Sequence, residues 1–240
     1  MDINGKRLME HINTLGKIGI GEDGRRIRLA ASDTNRQGRD QVAAWMEEAG
    51  LQVVVDRIGN IFGIWETPEN KGETPMMVGS HIDTVINAGQ YDGCLGVLAG
   101  IELCQTLQEQ GVRPKHPLVV GVFTNEEGVR YSPDMMGSLV YAGGLSCEEA
   151  LASVGTDGTI LGEELKRIGY GGTVEPGFLK PFAFLELHIE QGPIMDVEGY
   201  DIGAVENLQG IHWQQVTIKG AANHAGTTPT RLRHDAGLAA

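Results

Sequence analysis

The 240-residue sequence is short of positive charge, of cysteine and of aromatic rings, and it contains no long apolar run. Its 19 Lys and Arg stand against 32 Asp and Glu, a formal charge of −13. Such a balance repels phosphate backbones and anionic membrane surfaces, so no nucleic-acid partner and no membrane partner is expected. The three cysteines, Cys94, Cys104 and Cys147, are odd in number and lack paired metal-ligand spacing. That excludes a disulfide framework and a cysteine zinc site, and leaves buried thiols as the expectation. No apolar stretch is long enough to span a bilayer, and the opening "MDINGKRLMEHINTLGKIG" lacks the uninterrupted apolar core of a signal peptide. A cytoplasmic enzyme acting on a small molecule is therefore expected. There is no repeat of fixed period, no low-complexity tract, no GxSxG elbow and no cysteine in a nucleophile context, which removes support for covalent catalysis. The string "GIGEDG" (Gly19, Gly21, Gly24) formally matches a dinucleotide fingerprint. It follows a helical pattern rather than a strand, however, and would set Glu22 and Asp23 against a pyrophosphate.

Apolar residues make up 41% of the chain, enough for a real core in one large domain or a domain and a half. Leu8, Ile12 and Leu15 recur at helical spacing, and Val42, Ala43, Met46 and Ala49 do so again before Gly50. "LQVVVD" (51–56) and "NIFGIWE" (60–66) read as β-branched runs about a short turn. "PMMVGSHID" (75–83), "HPLVVGVFTN" (116–125) and "FAFLELHIE" (182–190) read as buried strands, and "GCLGVLAGIELCQTLQEQG" (93–111) as a helix ending at Gly111. Helices alternating with continuous apolar strands predict an α/β fold, a mixed and mainly parallel sheet flanked by helices. From about Asn207 the pattern changes: "GIHWQQVTIKG" alternates like a half-exposed antiparallel strand, so a catalytic domain is expected over 1–207 and a second domain over 208–240. The final "RHDAGLAA" resembles the first turns of an amphipathic helix without a stop signal, as a cut sequence would end.

Open α/β sheets build their sites at the carboxyl ends of strands, and four groups of polar residues fall there. Period-two alternation in "GSHID" points His81 and Asp83 to one side, so His81 can ligate a metal while Asp83 orients it. Asp92 in "YDGCLG" stands at the expected N-cap of the 93–111 helix and could bridge two cations. Glu126 and Glu127 follow the 116–125 strand, and His188 lies near the end of the 182–190 strand. A lone histidine is more often a core or surface residue, and a lone Asp92 only a cap. Their joint placement at strand ends favours a mixed nitrogen and oxygen ligand set suited to Zn²⁺, Mn²⁺ or Co²⁺.

The stretches "GSHIDTVINAGQYDGCLGVLAGIE", "FTNEEGVRYSPDMMGSLVYAG", "LELHIEQGPIMDVEG" and "IKGAANHAGTTPT" together resemble the N-carbamoyl-L-amino acid hydrolase, allantoate amidohydrolase and β-alanine synthase branch of the dinuclear metallo-aminoacylase/carboxypeptidase superfamily. The resemblance runs over essentially the whole chain, and "HIEQGP" is the part specific to this branch. It implies a zinc-exopeptidase-like catalytic domain followed by the start of a smaller α+β lid and dimerisation domain. It further implies two divalent ions in each complete active site, with His81, Asp92 and His188 on one, and Asp92, as a bridge, and Glu127 on the other. Glu126 would be the general base, Asp83 would keep its orienting role, Gln191 would contact the ureido group, and His224 would help stabilise the tetrahedral oxyanion in the partner subunit's active site. The implied reaction is hydrolysis of a small ureido substrate by a full-length homodimer. An aminoacylase or dipeptidase using the same ions, or an inactive fragment, are the alternatives. Family members run on past this length, so a late His for the second metal and the substrate-carboxylate grip are expected beyond Ala240.

Overall fold

The computed structural model describes residues 2–210, 214 and 216–240. The chain parts into two compact units, Met1–Gln191 and Gly192–Ala240.

In the first unit, α1 (Gly5–Lys17) opens on Asn4, whose side chain accepts from Arg7 N–H, and buries Ile12 and Leu15. α2 (Asp33–Glu48) is capped by Ser32 and buries Val42, Trp45 and Met46. β1 (Gln52–Val55) and β2 (Ile61–Trp65) form an antiparallel hairpin. β3 (Met76–His81) leads through α3 (Cys94–Glu109) to β4 (Leu118–Phe123), which lies parallel to β3. The three short helices α4 (Met136–Tyr141), α5 (Cys147–Leu151) and α6 (Leu161–Arg167) then precede β5 (Ala183–Leu185). The sheet runs β1-β2-β4-β3-β5 and is mixed: antiparallel through the hairpin and on to β4, parallel among β4, β3 and β5. Its parallel half carries the strand ends of interest.

Two features set the fit of that half. Gly79 pairs with Gly121 in the β3/β4 register. A Cβ on Gly79 would lie 2.1 Å from the Gly121 carbonyl oxygen, so only glycine permits this approach. On one side of the sheet Ile12, Leu15, Val42, Met46, Leu98 and Ile101 join Val120 and Val122 in the main core, while Phe62, Met77, Val119 and Phe123 form a smaller cluster. All three cysteines are free and buried.

The structure corrects one strand. The segment expected to be extended over 182–190 pairs with β3 only at Ala183–Leu185. Phe184, Leu185 and Leu187 are exposed by 45%, 55% and 45%, so the segment lacks the burial that would hold a longer strand, and His188 lies beyond its end. The strand expected from Asn207 falls partly on residues 211–213 and 215, outside the described residues; its described neighbours are not in a strand. The second unit contains α7 (Ile194–Glu198), a 3₁₀ turn (Thr230–Leu232) and α8 (Ala236–Ala239), the last capped by Asp235. Among the described residues no helix is long and apolar enough to cross a membrane.

A buried polar relay fixes the hairpin to the end of β4. Asp56 accepts from the Asn60 backbone and side-chain N–H groups at 2.8 and 2.9 Å. Asn60 in turn accepts from Thr124 N–H at 2.9 Å and donates to the Gly137 carbonyl at 3.1 Å. Burial pushes the Asp56 carboxyl up to about 6 although both Asn60 bonds favour its ionised form. In the unfolded chain this carboxyl ionises near its ordinary 3.8, so between that pH and about 6 the folded protein holds a proton the unfolded chain has released. Rising pH across that window is therefore expected to cost stability, and Asp56→Asn to flatten the slope there. Urea unfolding of both proteins at several pH values checks this, and parallel slopes would refute it.

Candidate metal centre

His81 reaches the site at the last residue of β3, with its side chain only 2% exposed. The backbone just after it is held by Arg28, which is fully buried. Arg28 donates to the Ile82 carbonyl at 2.7 Å and to the Leu15 and Ile18 carbonyls at 3.0 and 2.8 Å. Its own N–H donates to Thr84 Oγ1 at 2.9 Å. The turn after the strand is thus tied to the end of α1.

Asp83 sits in the site through bonds the alternation pattern does not predict. Its carboxylate lies 4.0 Å from His81 Nδ1, and the ring is oriented instead by the Asp83 carbonyl oxygen, which accepts from Nδ1 at 3.0 Å. The two carboxylate oxygens accept the backbone N–H groups of Glu126 and Glu127 at 3.3 and 3.2 Å. One side chain at the end of β3 therefore anchors the segment that follows β4.

Asp92 does not cap α3. The cap position belongs to Gly93, at φ 62°, and no side chain bonds there. This left-handed turn places Asp92 before the helix, and a Cβ on Gly93 would lie 2.4 Å from His81 Nε2. Released from capping, the Asp92 carboxylate stands 3.1 Å from His188 Nε2 and 3.8 Å from His81 Nε2. Its other oxygen accepts from Gln191 Nε2 at 2.6 Å. One ligand atom each from His81, Asp92 and His188 all lie within 4.8 Å of one another.

The donor chemistry fits a cation. His188 Nδ1 faces the Ile189 carbonyl at 2.8 Å, as His81 Nδ1 faces that of Asp83. A carbonyl oxygen only accepts, so both Nδ1 atoms carry hydrogen and both Nε2 atoms face the Asp92 carboxylate, as lone pairs in the neutral rings. Two lone pairs directed at an anion repel unless a proton or a metal ion lies between them. Glu126 Oε2 adds a further negative group 3.4 Å from His81 Nε2, and Glu127 Oε1 is buried with no hydrogen-bond partner. Burial pushes the Glu127 carboxyl up to about 7 against the pull of His81, with Asp92, Asp83 and Glu126 adding to the rise. Burial also raises Glu126. For His81 burial acts downward, but the carboxylates of Asp83, Glu126 and Glu127 together outweigh it. Carboxyls pushed up by burial and by one another, around a histidine drawn up by them, mark a pocket whose repulsion a bound cation would relieve.

His81, Asp83, Asp92, Glu126, Glu127, His188 and Gln191 thus meet in the first unit. His224 lies in the second, exposed, with Nδ1 accepting from Gly226 and Thr227 N–H at 3.1 and 3.2 Å. Sequence reasoning missed Gly93, although the signal was present: a glycine directly after the acid at the helix start.

The family model described as Peptidase family M20/M25/M40 matches residues 77–239. An N-carbamoyl-L-amino-acid amidohydrolase of Rhizobium meliloti is 41% identical over 99% of this chain and 57% of its own length. One of Geobacillus stearothermophilus is 42% identical over 97% of this chain and 58% of its own. A crystal structure of an amidase of the hydantoinase/carbamoylase family from Burkholderia vietnamiensis superposes with a TM-score of 0.86 at 36% identity, covering 98% of this chain and 57% of that one. The chain therefore spans a little over half the length of the curated relatives it matches.

Replacing His188 by Ala removes one of the two imidazole lone pairs, and is expected to weaken Zn²⁺ or Mn²⁺ binding by about 100-fold or more while leaving the melting temperature of the metal-free chain nearly unchanged. Titration calorimetry with each metal checks this. Unchanged affinity would make His188 a bystander.

Proposed function

The chain belongs to peptidase family M20/M25/M40, and from that premise we propose that it is the metal-binding portion of an amidohydrolase that cleaves the ureido C–N bond of N-carbamoyl-L-amino acids or allantoate. The observation that carries the reading is the convergence of two imidazole Nε2 atoms on Asp92 with Glu126 and Glu127 alongside. The names of the two bacterial relatives supply N-carbamoyl-L-amino acids as a substrate class, and that of a similar allantoate deiminase of Arabidopsis thaliana supplies allantoate. His81, Asp92 and His188 would hold one divalent ion, and Asp92 with Glu127 a second, with Zn²⁺, Mn²⁺ and Co²⁺ all compatible with these donors. When bound, such ions supply positive charge that polarises a carbonyl and acidifies water.

The remaining chemistry belongs to the side chains. Glu126 directs a carboxylate into the site without a backbone or capping bond to occupy it, and its raised proton affinity suits a base that takes a proton from water and returns it to the leaving nitrogen. Water adds to the ureido carbonyl, the C–N bond breaks, and the carbamate released falls to carbon dioxide and ammonia, leaving the amino acid. Asp83 keeps Glu126 in place through its backbone N–H. Gln191 would meet the ureido group, and His224 would donate from Nε2 to the oxyanion in the partner subunit's active site, since its Nδ1 is an acceptor. Residues 208–240 would begin the lid through which a complete enzyme forms a homodimer.

The family description, which names peptidases, favours a second reading: an aminoacylase or dipeptidase built on the same ions. A hydrolysis panel of N-carbamoyl-amino acids, allantoate, N-acetyl-amino acids and dipeptides separates the two. Ammonia from ureido compounds supports the first reading; cleavage of N-acyl or peptide bonds alone supports the second; no turnover with metal bound at stoichiometry marks a non-catalytic chain. In whichever class is active, Glu126→Gln is expected to lower turnover by at least about 100-fold with metal content unchanged. Metal lost together with activity would sink the assignment of Glu126 as base.

A further inference from the structure

Immediately before the acid pair, the Asn125 side chain is buried completely and its backbone sits at φ 54°. The left-handed region is one that asparagine tolerates better than other residues with a side chain, but conformation does not exhaust its role. Asn125 Nδ2 donates to the Tyr131 carbonyl at 2.8 Å and to the Pro133 carbonyl at 3.1 Å. Its Oδ1 is buried with no hydrogen-bond partner. An orphaned buried acceptor costs stability, so what this side chain contributes lies in its two donors.

Those donors lie at the centre of a closed loop. Its neck is tied by Met135 N–H to the Glu126 carbonyl at 2.7 Å, by Met136 N–H to the Asn125 carbonyl at 3.2 Å and by Gly137 N–H to the Thr124 carbonyl at 2.8 Å. Its far side is fixed from outside. Arg130 donates to the Ala30 carbonyl at 2.9 Å and to Glu164 at 2.9 Å, and the Tyr131 hydroxyl meets Thr159 Oγ1 at 2.8 Å. The Tyr131 carbonyl that Asn125 binds thus belongs to a residue anchored outside the loop, and the amide ties the end of β4 to it. Glu126 and Glu127 are the next two residues, and their own N–H groups face the Asp83 carboxylate.

We propose that Asn125 is a positioning residue for the acid pair: its side-chain amide sets the direction in which Glu126 and Glu127 leave β4, with Asp83 holding the same two residues from the opposite strand. The inference rests on the reading of Glu127 as a metal ligand. Two variants separate conformation from hydrogen bonding. Asn125→Gly keeps access to positive φ and removes both donors; Asn125→Asp is nearly isosteric but sets an oxygen against two carbonyl oxygens.

The test uses the whole chain and Co²⁺ alone, with affinity read by calorimetry and the ligand field by visible absorption, in four proteins: the parent, Asn125→Gly, Glu127→Gln and the double variant. Asn125→Gly is expected to weaken Co²⁺ binding by roughly tenfold, and to weaken it no further when Glu127→Gln is already present, because a residue that acts through another adds nothing once that other is gone. A purely structural residue would cause the same loss in both backgrounds, and that result, or an unchanged affinity in Asn125→Gly, overturns the proposal. Amide hydrogen exchange runs beside it: Glu126 and Glu127 N–H are expected to exchange at least about tenfold faster in both Asn125 variants, with β3 and β4 protected as in the parent. If Glu127→Gln alone leaves Co²⁺ affinity unchanged, the metal role of Glu127 fails. The positioning role is then decided by exchange alone, and full protection of the two N–H groups refutes it.

Discussion

Two parallel strand ends are joined by a single carboxylate. Asp83, just past β3, accepts the backbone N–H groups of Glu126 and Glu127, just past β4, while its own carbonyl fixes the ring of His81. Charge-assisted bonds of this kind are stronger than neutral ones, and their geometry is fixed by the register that sets Gly79 against Gly121 and His81 against Phe123. Were the register to slip by one residue, every side chain on β3 would change face, and His81 would leave the site. The glycine pair, the buried Arg28 behind the turn and the Asp56–Asn60–Thr124 relay all serve to keep these two strand ends level.

The same constraint explains which parts of the site could be read from residues alone. His81, Asp83, Glu126 and Glu127 directly follow continuous apolar runs, and in a parallel sheet such runs must end on one edge, so the gathering of these four was legible. Asp92 was legible as a member of the group but not in its local bonding: an Asp before a helical run reads as a cap, whereas Gly93 takes the cap position and turns the carboxylate toward the imidazoles. His188 arrives on a segment whose apolar residues suggest a buried strand. Exposed Phe184, Leu185 and Leu187 show that tertiary burial, not composition, decides how far pairing extends. Helices α4, α5 and α6 were not legible, because five to seven residues hold too little of a 3.6-residue period to stand out.

A fold is ordinarily most comfortable when buried charges are paired, and this site is arranged otherwise. Asp92, Glu126 and Glu127 share a half-buried space with two histidines whose Nδ1 hydrogens are already committed to backbone carbonyls. The backbone on each side is tied down, since the turn after β3 is held by Arg28, and the loop after β4 is closed at its neck and pinned through Arg130. Burial and mutual repulsion raise the carboxyls of Glu127 and Glu126 together. Stability of the surrounding sheet is thus converted into an unsatisfied demand for positive charge at one point, and a cation that meets the demand stabilises the folded chain in proportion to how tightly it binds. The adjacent acids of "NEEG" are tolerable on these terms, repelling each other only until the charge they were placed to receive arrives.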